Sequence, residues 1–214
     1  MKALALNGSP RKNGNTAALL KSALEGAASV GMETELVHLY DLNYKGCVSC
    51  FSCKRIGGAS YGRCALRDDL TPVIQRAEQA DLLVFGSPIY FGDVTGALRS
   101  LMERLFYARF AYDLNQPSLW PKETLAAFLY TMNLPSDAPY REYLKNSVEG
   151  TAAKVLGPVV SMSAVDTCQF DDYSKYYTPK FDGPHKVRRR EELFPQDCRR
   201  AYELGRALAG QARR

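Results

Sequence analysis

The stretch Leu6-Asn7-Gly8-Ser9-Pro10-Arg11-Lys12-Asn13-Gly14-Asn15-Thr16 is the part of this 214-residue chain that decides its fold. An apolar run of strand type, residues 1–6, leads into it. After it, apolar residues between Leu20 and Ala27 recur at the i, i+3, i+4, i+7 spacing of one helix face. The pattern predicts a strand, a tight loop and a helix in direct succession.

The composition of the loop indicates that it binds a phosphate group. Gly8 and Gly14 permit backbone angles that other residues avoid. Unpaired N–H groups at the start of the predicted helix carry partial positive charge, and Arg11 adds a full charge. Four more side chains of the loop can form hydrogen bonds to a phosphate monoester. They are Ser9, Asn13, Asn15 and Thr16.

Two well-known phosphate motifs do not match this loop. A Walker A loop with its second glycine at Gly14 requires glycine in place of Ser9 and lysine in place of Asn15. The dinucleotide-binding pattern G-x-G-x-x-G requires glycine where the chain has Pro10. An ordinary polar loop between a strand and a helix is the remaining alternative.

Composition and charge narrow the class of protein. With 46% hydrophobic and 24% charged residues, the chain is expected to form one domain, 1–214, with a full core. It has no apolar run of membrane-span length and no signal-peptide pattern, so we expect a cytoplasmic protein with no membrane partner. The net charge of +5 does not require nucleic acid as a partner.

The basic run at residues 186–190 is interpreted as a solvated face whose charge is balanced by Glu191 and Glu192. The alternative is a binding site for an acidic electron carrier or a nucleotide phosphate.

Strand-type and helix-type segments alternate along most of the chain. The predicted strands are residues 1–6, 34–39, 81–86, 124–131 and 155–162. This alternation is the signature of a doubly wound parallel α/β sheet. Pro158 interrupts the last predicted strand and indicates an edge position or a bulge. A cysteine-rich loop at 41–69 follows strand 2, and a C-terminal extension at 166–214 ends in a helix.

A second candidate binding loop, residues 87–93, follows the third predicted strand. In a doubly wound sheet, ligands bind at the carboxyl ends of the strands where the chain order reverses, so the two loops are expected to share one site. Pro88 holds the second loop rigid, and the apolar side chains after it can pack on a heteroaromatic ring. Ordinary packing at a strand end is the alternative. Beside a phosphate loop, a flat ring with a phosphate tail is the ligand that fits best.

Four of the six cysteines lie in the loop at 41–69. Two residues separate Cys47 from Cys50 and Cys50 from Cys53, and ten residues separate Cys53 from Cys64. Two such gaps in series bring three thiolates together, a spacing that iron-sulfur ligation uses, and the fourth sulfur can come from further along the chain. A four-thiolate zinc site is one alternative, and free thiols or disulfides are another.

Together these motifs resemble the flavodoxin-like NAD(P)H-dependent FMN reductases and, within them, the iron-sulfur flavoproteins. The matching residues are Gly8-Ser9-Pro10-Arg11-x-x-Gly14-Asn15-Thr16, then Ser87-Pro88-Ile89-Tyr90 followed by Gly96-x-Leu98-x-x-x-Met102-Glu103-Arg104, and the compact cysteine group. The resemblance implies a five-stranded parallel sheet of order 2-1-3-4-5. It also implies FMN as cofactor, NAD(P)H or a small redox carrier as electron partner, and a homodimer or homotetramer in which the cluster of one subunit serves the flavin of another.

The resemblance assigns roles to particular residues. The FMN phosphate is expected on the loop side chains named above, Ser9, Arg11, Asn13, Asn15 and Thr16. The isoalloxazine ring is expected against Pro88, Ile89, Tyr90, Phe91 and Gly92, with Thr131, Met132 and Asn133 closing over it. A 4Fe-4S cluster is expected on Cys47, Cys50, Cys53 and Cys64, although the gap before the fourth cysteine is longer than is usual in that family.

The function expected on this basis is FMN-dependent electron transfer, in which electrons pass between FMN and a 4Fe-4S cluster. A cluster-free NAD(P)H-dependent reductase of FMN or quinones is the first alternative. A non-enzymatic flavin- or metal-binding interaction protein is the second. No Ser-His-Asp or paired-carboxylate arrangement is evident in the sequence, and no side chain is predicted to be catalytic, because a flavin carries its own redox chemistry.

Overall fold

A computed structural model describes residues 1–212, so Arg213 and Arg214, the last residues of the predicted extension, lie outside the described part. The strands are β1 (Lys2–Asn7), β2 (Glu33–His38), β3 (Leu82–Pro88), β4 (Leu125–Thr131) and β5 (Val159–Ala164). The α-helices of the described residues are α1 (Asn15–Ser29), α2 (Leu70–Gln79), α3 (Gly96–Arg109), α4 (Ala138–Tyr143), α5 (Gly150–Leu156), α6 (Gly183–Glu192) and α7 (Phe194–Gln211), with a π-helical stretch (Leu144–Glu149) between α4 and α5. Neighbouring strands are parallel in the order β2-β1-β3-β4-β5, which confirms the predicted flavodoxin-like sheet. No helix within residues 1–212 has the length and apolar character needed to cross a membrane.

Strand β1 lies inside the sheet, and its side chains alternate between two hydrophobic cores. Leu4 and Leu6 pack with α2, α3 and α5 on one face, whereas Ala3 and Ala5 pack with α1 and α7 on the other. Burial on both faces explains why the strand reads as a continuous apolar run. Full burial of each leucine contributes roughly 1.5–3 kcal/mol. The phosphate loop is therefore attached to one of the most firmly held parts of the fold.

The predicted start of the last strand is wrong. Val155 and Leu156 belong to α5, which ends at Gly157 with a φ of 107°. Both side chains are buried from the helix, and a short apolar run does not distinguish a buried helix end from a strand. The strand begins after Pro158 and pairs with β4 at the end of the strand order. The predicted edge position is confirmed.

Helix α6 lies in the part of the extension where the sequence shows no clear period. The Asp182 carboxylate accepts a hydrogen bond of 3.0 Å from the His185 N–H, which caps the start of the helix. Such a cap stabilises a helix by about 1 kcal/mol. The start of α6 is thus marked in the sequence by a capping residue, Asp182, and not by a hydrophobic period.

The predicted solvated face at residues 186–190 is wrong for Lys186 and Arg189, whereas Arg188 and Arg190 are exposed. Lys186 and Arg189 are buried, with relative exposures of 3% and 7%. Lys186 pairs with Asp166, and Arg189 pairs with Asp197. The balancing carboxylates come from other segments and not from the acidic pair that follows the run. A buried cation requires such a partner because its desolvation is costly.

Helices α1 and α7 touch through two glycines. A Cβ added at Gly26 would lie 2.0 Å from the Tyr202 carbonyl oxygen, and one added at Gly205 would lie 1.9 Å from the Ala23 carbonyl oxygen. The two backbones are therefore in direct contact, and only glycine fits at either position. This crossing seats the C-terminal helix on the sheet.

Candidate functional site

A cavity of about 350 Å³ opens at the carboxyl ends of β1, β3 and β4. Small-molecule sites commonly enclose ~300–1,000 Å³. The predicted cofactor residues that line it are Ser9, Arg11, Asn13, Asn15, Thr16, Pro88, Ile89, Tyr90, Thr131, Met132 and Asn133. The fold thus brings three separate predicted segments to one cavity.

Hydrogen bonds to neighbouring elements hold the phosphate loop in place. The Gly8 N–H donates to the Gly86 carbonyl of β3 at 2.8 Å, and the Thr95 hydroxyl donates to the Gly8 carbonyl at 2.7 Å. The Ser9 N–H donates to the Asn7 side-chain oxygen at 2.9 Å. These contacts connect the loop to β1, β3 and the residue that caps α3, so its geometry is set before a ligand arrives.

The start of α1 faces the same cavity. Gly14 occupies the N-cap position and has no side chain with which to cap the N–H groups of the first turn. Helix N-termini of this kind bind phosphate through N–H groups and the helix dipole. The hydroxyl oxygens of Thr16 and Thr131 lie 2.8 Å apart and connect this turn to the end of β4. N–H groups, hydroxyls and the Arg11 guanidinium form a donor set that fits a phosphate monoester.

A segment of the C-terminal extension forms a further wall that the sequence did not predict. Its cavity-lining residues are Thr167, Cys168, Gln169, Asp171 and Arg190. The Arg11 guanidinium donates to the Gln169 carbonyl at 2.5 Å, and the Asn15 amide donates to the Cys168 carbonyl at 2.8 Å. The wall is therefore bonded directly to phosphate-loop side chains. The only sequence signal in this region was the basic run, whose interpretation was wrong in part.

Two predicted ring-binding residues lie outside the cavity lining. The Phe91 side chain is fully exposed, and its φ of 51° is unusual for a bulky residue. Gly92 also has a positive φ, 88°, and an added Cβ there would lie 3.0 Å from the Tyr140 ring. The roles proposed for Phe91 and Gly92 remain predictions.

The loop after β4 is held by α6. The buried Lys186 ammonium donates to the Asn133 carbonyl at 2.6 Å and pairs with Asp166. The His185 ring Nε2 lies 2.6 Å from the other oxygen of Asp166. Although burial opposes ionisation of the Asp166 carboxyl, these two partners hold its pKa below the usual range. The cavity wall at Asn133 therefore depends on an ion pair that residues beyond position 165 provide.

Lys186→Met is expected to lower the free energy of unfolding at pH 7 by about 2 kcal/mol, because the Asp166 carboxylate loses its lysine partner and keeps only the hydrogen bond with His185. The pKa of Asp166 is lowered by folding, so its contribution is present above the unfolded pKa near ~3.9 and is lost as pH falls through the folded value. Urea unfolding at pH 7 and pH 3 measures both effects. The wild-type advantage over the variant should shrink at pH 3. An equal loss in the exposed-residue control Lys180→Met would refute the ion-pair argument.

A second, small cavity of about 20 Å³ is lined by the four predicted metal ligands, Cys47, Cys50, Cys53 and Cys64. Cys53 is buried, whereas Cys47 and Cys50 are exposed. In residues 1–212, no three His, Cys, Asp or Glu side chains are placed to hold a single metal ion. A 4Fe-4S cluster binds its four cysteines through different irons, so its ligands stand further apart than those of one ion. The four thiols line one cavity, as that donor set requires, but a cavity with room for about one water would have to widen to admit the inorganic core. The ligand assignment remains a prediction.

Helix α3 supports the cysteine loop at three points. The Glu103 carboxylate accepts a hydrogen bond of 3.0 Å from the Cys47 N–H. The buried Arg104 guanidinium lies 3.4 Å from the Cys64 sulfur. The Lys54 ammonium, next to Cys53 in the chain, donates to carbonyl groups at the C-terminal end of α3 and so caps that end. Both ends and the middle of the loop are thus attached to one helix.

The thiols of the loop differ in acidity. Burial raises the pKa of the Cys53 thiol, whereas hydrogen bonds from Ser52 lower the pKa of the exposed Cys50 thiol. Thiolates, not thiols, bind metals. Cys53 therefore favours the neutral thiol until a cation or cluster compensates for its burial.

Known proteins resemble this chain both in sequence and in fold. A sequence model of the NADPH-dependent FMN reductase family matches residues 1–166. An iron-sulfur flavoprotein of Methanocaldococcus jannaschii is 37% identical over 114 residues, 53% of this chain and 56% of the relative. An iron-sulfur flavoprotein of Archaeoglobus fulgidus is 40% identical over 109 residues, 51% of each chain. The chain thus spans about half the length of these curated relatives. A solved NAD(P)H:quinone oxidoreductase from Methanothermobacter marburgensis has the same fold, with a TM-score of 0.69 at 18% identity over 97% of this chain and 96% of its own.

Proposed function

The chain belongs to the NADPH-dependent FMN reductase family, and on that premise we propose that it is a flavin-dependent oxidoreductase that transfers electrons between FMN and a 4Fe-4S cluster. FMN would occupy the cavity at the strand ends, and Cys47, Cys50, Cys53 and Cys64 would hold the cluster. When bound, FMN supplies one- and two-electron redox chemistry, and a cluster supplies one-electron transfer. The relatives named iron-sulfur flavoproteins support the cluster part of the proposal.

The observation that carries this proposal is the position of α3. Thr95, which caps its start, is hydrogen-bonded to Gly8 of the phosphate loop. Near its other end, Glu103 and Arg104 hold the backbone of Cys47 and the sulfur of Cys64. One helix thus supports both candidate redox sites, so each site is attached to the same rigid element of the fold. Rigid support of both sites suits electron transfer, whether the cluster serves the flavin of its own subunit or that of another.

The residues of the cavity have distinct tasks in this proposal. The phosphate loop and Arg11 would bind the phosphate of FMN. At the other end of the cavity, Pro88, Ile89 and Tyr90 would pack on the ring and exclude water there. Met132 is buried at the end of β4 and adds apolar surface beside the ring position. These residues orient the cofactor, and none of them needs to exchange a proton.

The test is an absorption spectrum of protein purified without oxygen, with iron and acid-labile sulfide measured per FMN. We expect flavin bands with a broad shoulder that bleaches on reduction, and about four irons and four sulfides per chain. Flavin bands without iron would contradict the proposed cluster and would support a flavin reductase that has no cluster. A protein that binds no added FMN would overturn the proposal as a whole.

A cluster-free NAD(P)H-dependent reductase of FMN or quinones is the second candidate. The family description favours it, since it names NADPH and FMN without a cluster. Within residues 1–212, no three His, Cys, Asp or Glu side chains surround a single metal position, which agrees with a reductase that needs no metal. Steady turnover of NADPH with a quinone by iron-free protein would support this candidate. Loss of that turnover on removal of iron would support the cluster-dependent mechanism.

We also propose that the protein is a homodimer or homotetramer, because the FMN reductases that it resembles are usually dimers or tetramers. A second subunit would place a partner surface over the open side of the cavity, where Tyr90 is half exposed and Phe91 is fully exposed. Exposed aromatic side chains beside a binding cavity are typical of contact surfaces. Light scattering of the FMN-loaded protein measures the assembly, and a monomer at micromolar concentration would contradict this part.

A further inference from the structure

We propose that Arg190, from the C-terminal helix α6, is a second cationic ligand of the FMN phosphate and makes the site prefer FMN over riboflavin. This inference rests on the proposed function, because it assumes that FMN occupies the strand-end cavity. The residue lies beyond the segment that the family model matches, residues 1–166. It is therefore a feature of this chain's own extension.

The first support is position. Arg190 lines the same cavity as Ser9, Arg11 and Asn15. Its neighbour in that wall is Cys168, whose carbonyl is hydrogen-bonded to the Asn15 amide at the start of α1. The arginine thus borders the phosphate end of the cavity and not the end where Pro88 and Tyr90 lie.

The second support is the way in which α6 is anchored. Lys186 and Arg190 are four residues apart and so project from the same side of the helix. Lys186 is buried and bonded to the Asn133 carbonyl and to Asp166. Arg189 is held by its buried pair with Asp197. These contacts fix the backbone of α6 beside the cavity, so little backbone entropy is lost when Arg190 binds an anion.

The third support is the exposed ion pair that Arg190 forms with Asp171. Its guanidinium lies 2.9 Å from an Asp171 carboxylate oxygen, and the two side chains are 51% and 96% exposed. An ion pair as exposed as this contributes about 0–1 kcal/mol. A phosphate dianion offers twice the charge and a bidentate geometry, so it can replace the carboxylate. The guanidinium is charged at all physiological pH values, whichever partner it has.

The charge balance of the cavity agrees with an anionic occupant. Among the described residues that line it, Arg11 and Arg190 are the cations and Asp171 is the carboxylate. Arg11 comes from the phosphate loop, and Arg190 comes from the wall that the C-terminal extension forms. A phosphate bound by both would be neutralised by two guanidinium groups.

The same chemistry is present in the 2′-phosphate of NADPH, and the experiment separates the two sources. Dissociation constants for FMN and for riboflavin are measured by flavin fluorescence with apoprotein of wild type, Arg190→Ala and Arg188→Ala. Arg188 is the matched control, because it lies on the same helix, is exposed and does not line the cavity. We expect Arg190→Ala to weaken FMN binding about tenfold and to change riboflavin binding by less than about twofold. Arg188→Ala should change neither.

Three results would overturn the inference. Equal FMN affinity in the Arg190 and Arg188 variants would show that Arg190 does not bind the phosphate. Equal losses for FMN and riboflavin would assign it to the ring or to folding. A raised KM for NADPH with unchanged FMN affinity would assign it to the pyridine nucleotide. Wild-type protein that binds neither flavin would instead refute the proposed function itself, and the inference with it.

Asp171→Asn provides a second, opposite test of the same geometry. Removal of this carboxylate frees Arg190 and withdraws a negative charge from the phosphate end. We expect FMN binding to tighten by about threefold, with riboflavin binding unchanged. Weaker FMN binding in this variant would contradict the proposed exchange of partners.

Discussion

Cys53→Ser is expected to remove iron from the anaerobically purified protein while FMN stays bound. Cys53 is the buried member of the cysteine group, and its neighbour Lys54 is tied to the end of α3. A serine hydroxyl at this position stays protonated at neutral pH and is a poor ligand for iron, so the cluster would lack one corner inside the protein. We expect iron to fall from about four per chain to near zero. FMN affinity should remain within about twofold of wild type, since the two sites share no residue.

The matched control for this experiment is Cys198→Ser. Cys198 lies on α7 and belongs to the opposite side of the sheet, where it packs against the α1–α7 core. Its substitution changes the same functional group and should leave the iron content unchanged. Full iron in Cys53→Ser, or equal loss in both variants, would refute the assigned ligand set. Cys64→Ser tests the fourth ligand separately, because its side chain is also held by Arg104.

Gly205→Ala should lower the free energy of unfolding by about 3 kcal/mol. The added Cβ would lie 1.9 Å from the Ala23 carbonyl oxygen, and a backbone atom cannot rotate away as a side chain can. Helices α1 and α7 would have to move apart, and contacts along their whole interface would weaken. Since α6 is bonded to α7 through Arg189 and Asp197, the C-terminal wall of the cavity would shift as well. Weaker FMN binding should therefore accompany the loss of stability.

Gly210→Ala is the control on the same helix. An added Cβ at Gly210 meets no heavy atom of the described residues within 4 Å. Alanine is a better helix former than glycine, so this variant should be more stable by up to ~1 kcal/mol. Urea unfolding of both variants measures the difference. If Gly205→Ala were as stable as wild type, the close helix contact would be refuted.

Some predictions came from signals that are local in the chain. The strand, loop and helix around residues 1–29 were predicted because β1 is buried on both faces and α1 has one apolar face, and both leave a period in the sequence. Helix α2 (Leu70–Gln79) also has a local signal, because its buried apolar residues share one face and Pro72 lies in its first turn. The second loop was placed beside the first because parallel strands end at the same edge of a sheet.

Errors arose where a local pattern has two physical solutions. Val155 and Leu156 are apolar in either a strand or a helix end, and the tertiary packing of α5 decided between the two. A basic residue on a helix can face water or be buried in an ion pair. Lys186 and Arg189 are buried because Asp166 and Asp197, which lie in other segments, pair with them. Neither partner can be identified from the run itself.

By itself, the sequence determined the doubly wound sheet, the glycine-containing loop between β1 and α1 and the grouping of the cysteines, because hydrophobic period, glycine freedom and short cysteine spacing act over a few residues. Only the tertiary structure brought the C-terminal extension to the cavity. Its contacts join Arg11 to Gln169 and Asn15 to Cys168, pairs separated by 158 and 153 positions. Contacts at such separation depend on how whole helices pack, as α7 does on α1 through Gly26 and Gly205, and no local pattern encodes that packing.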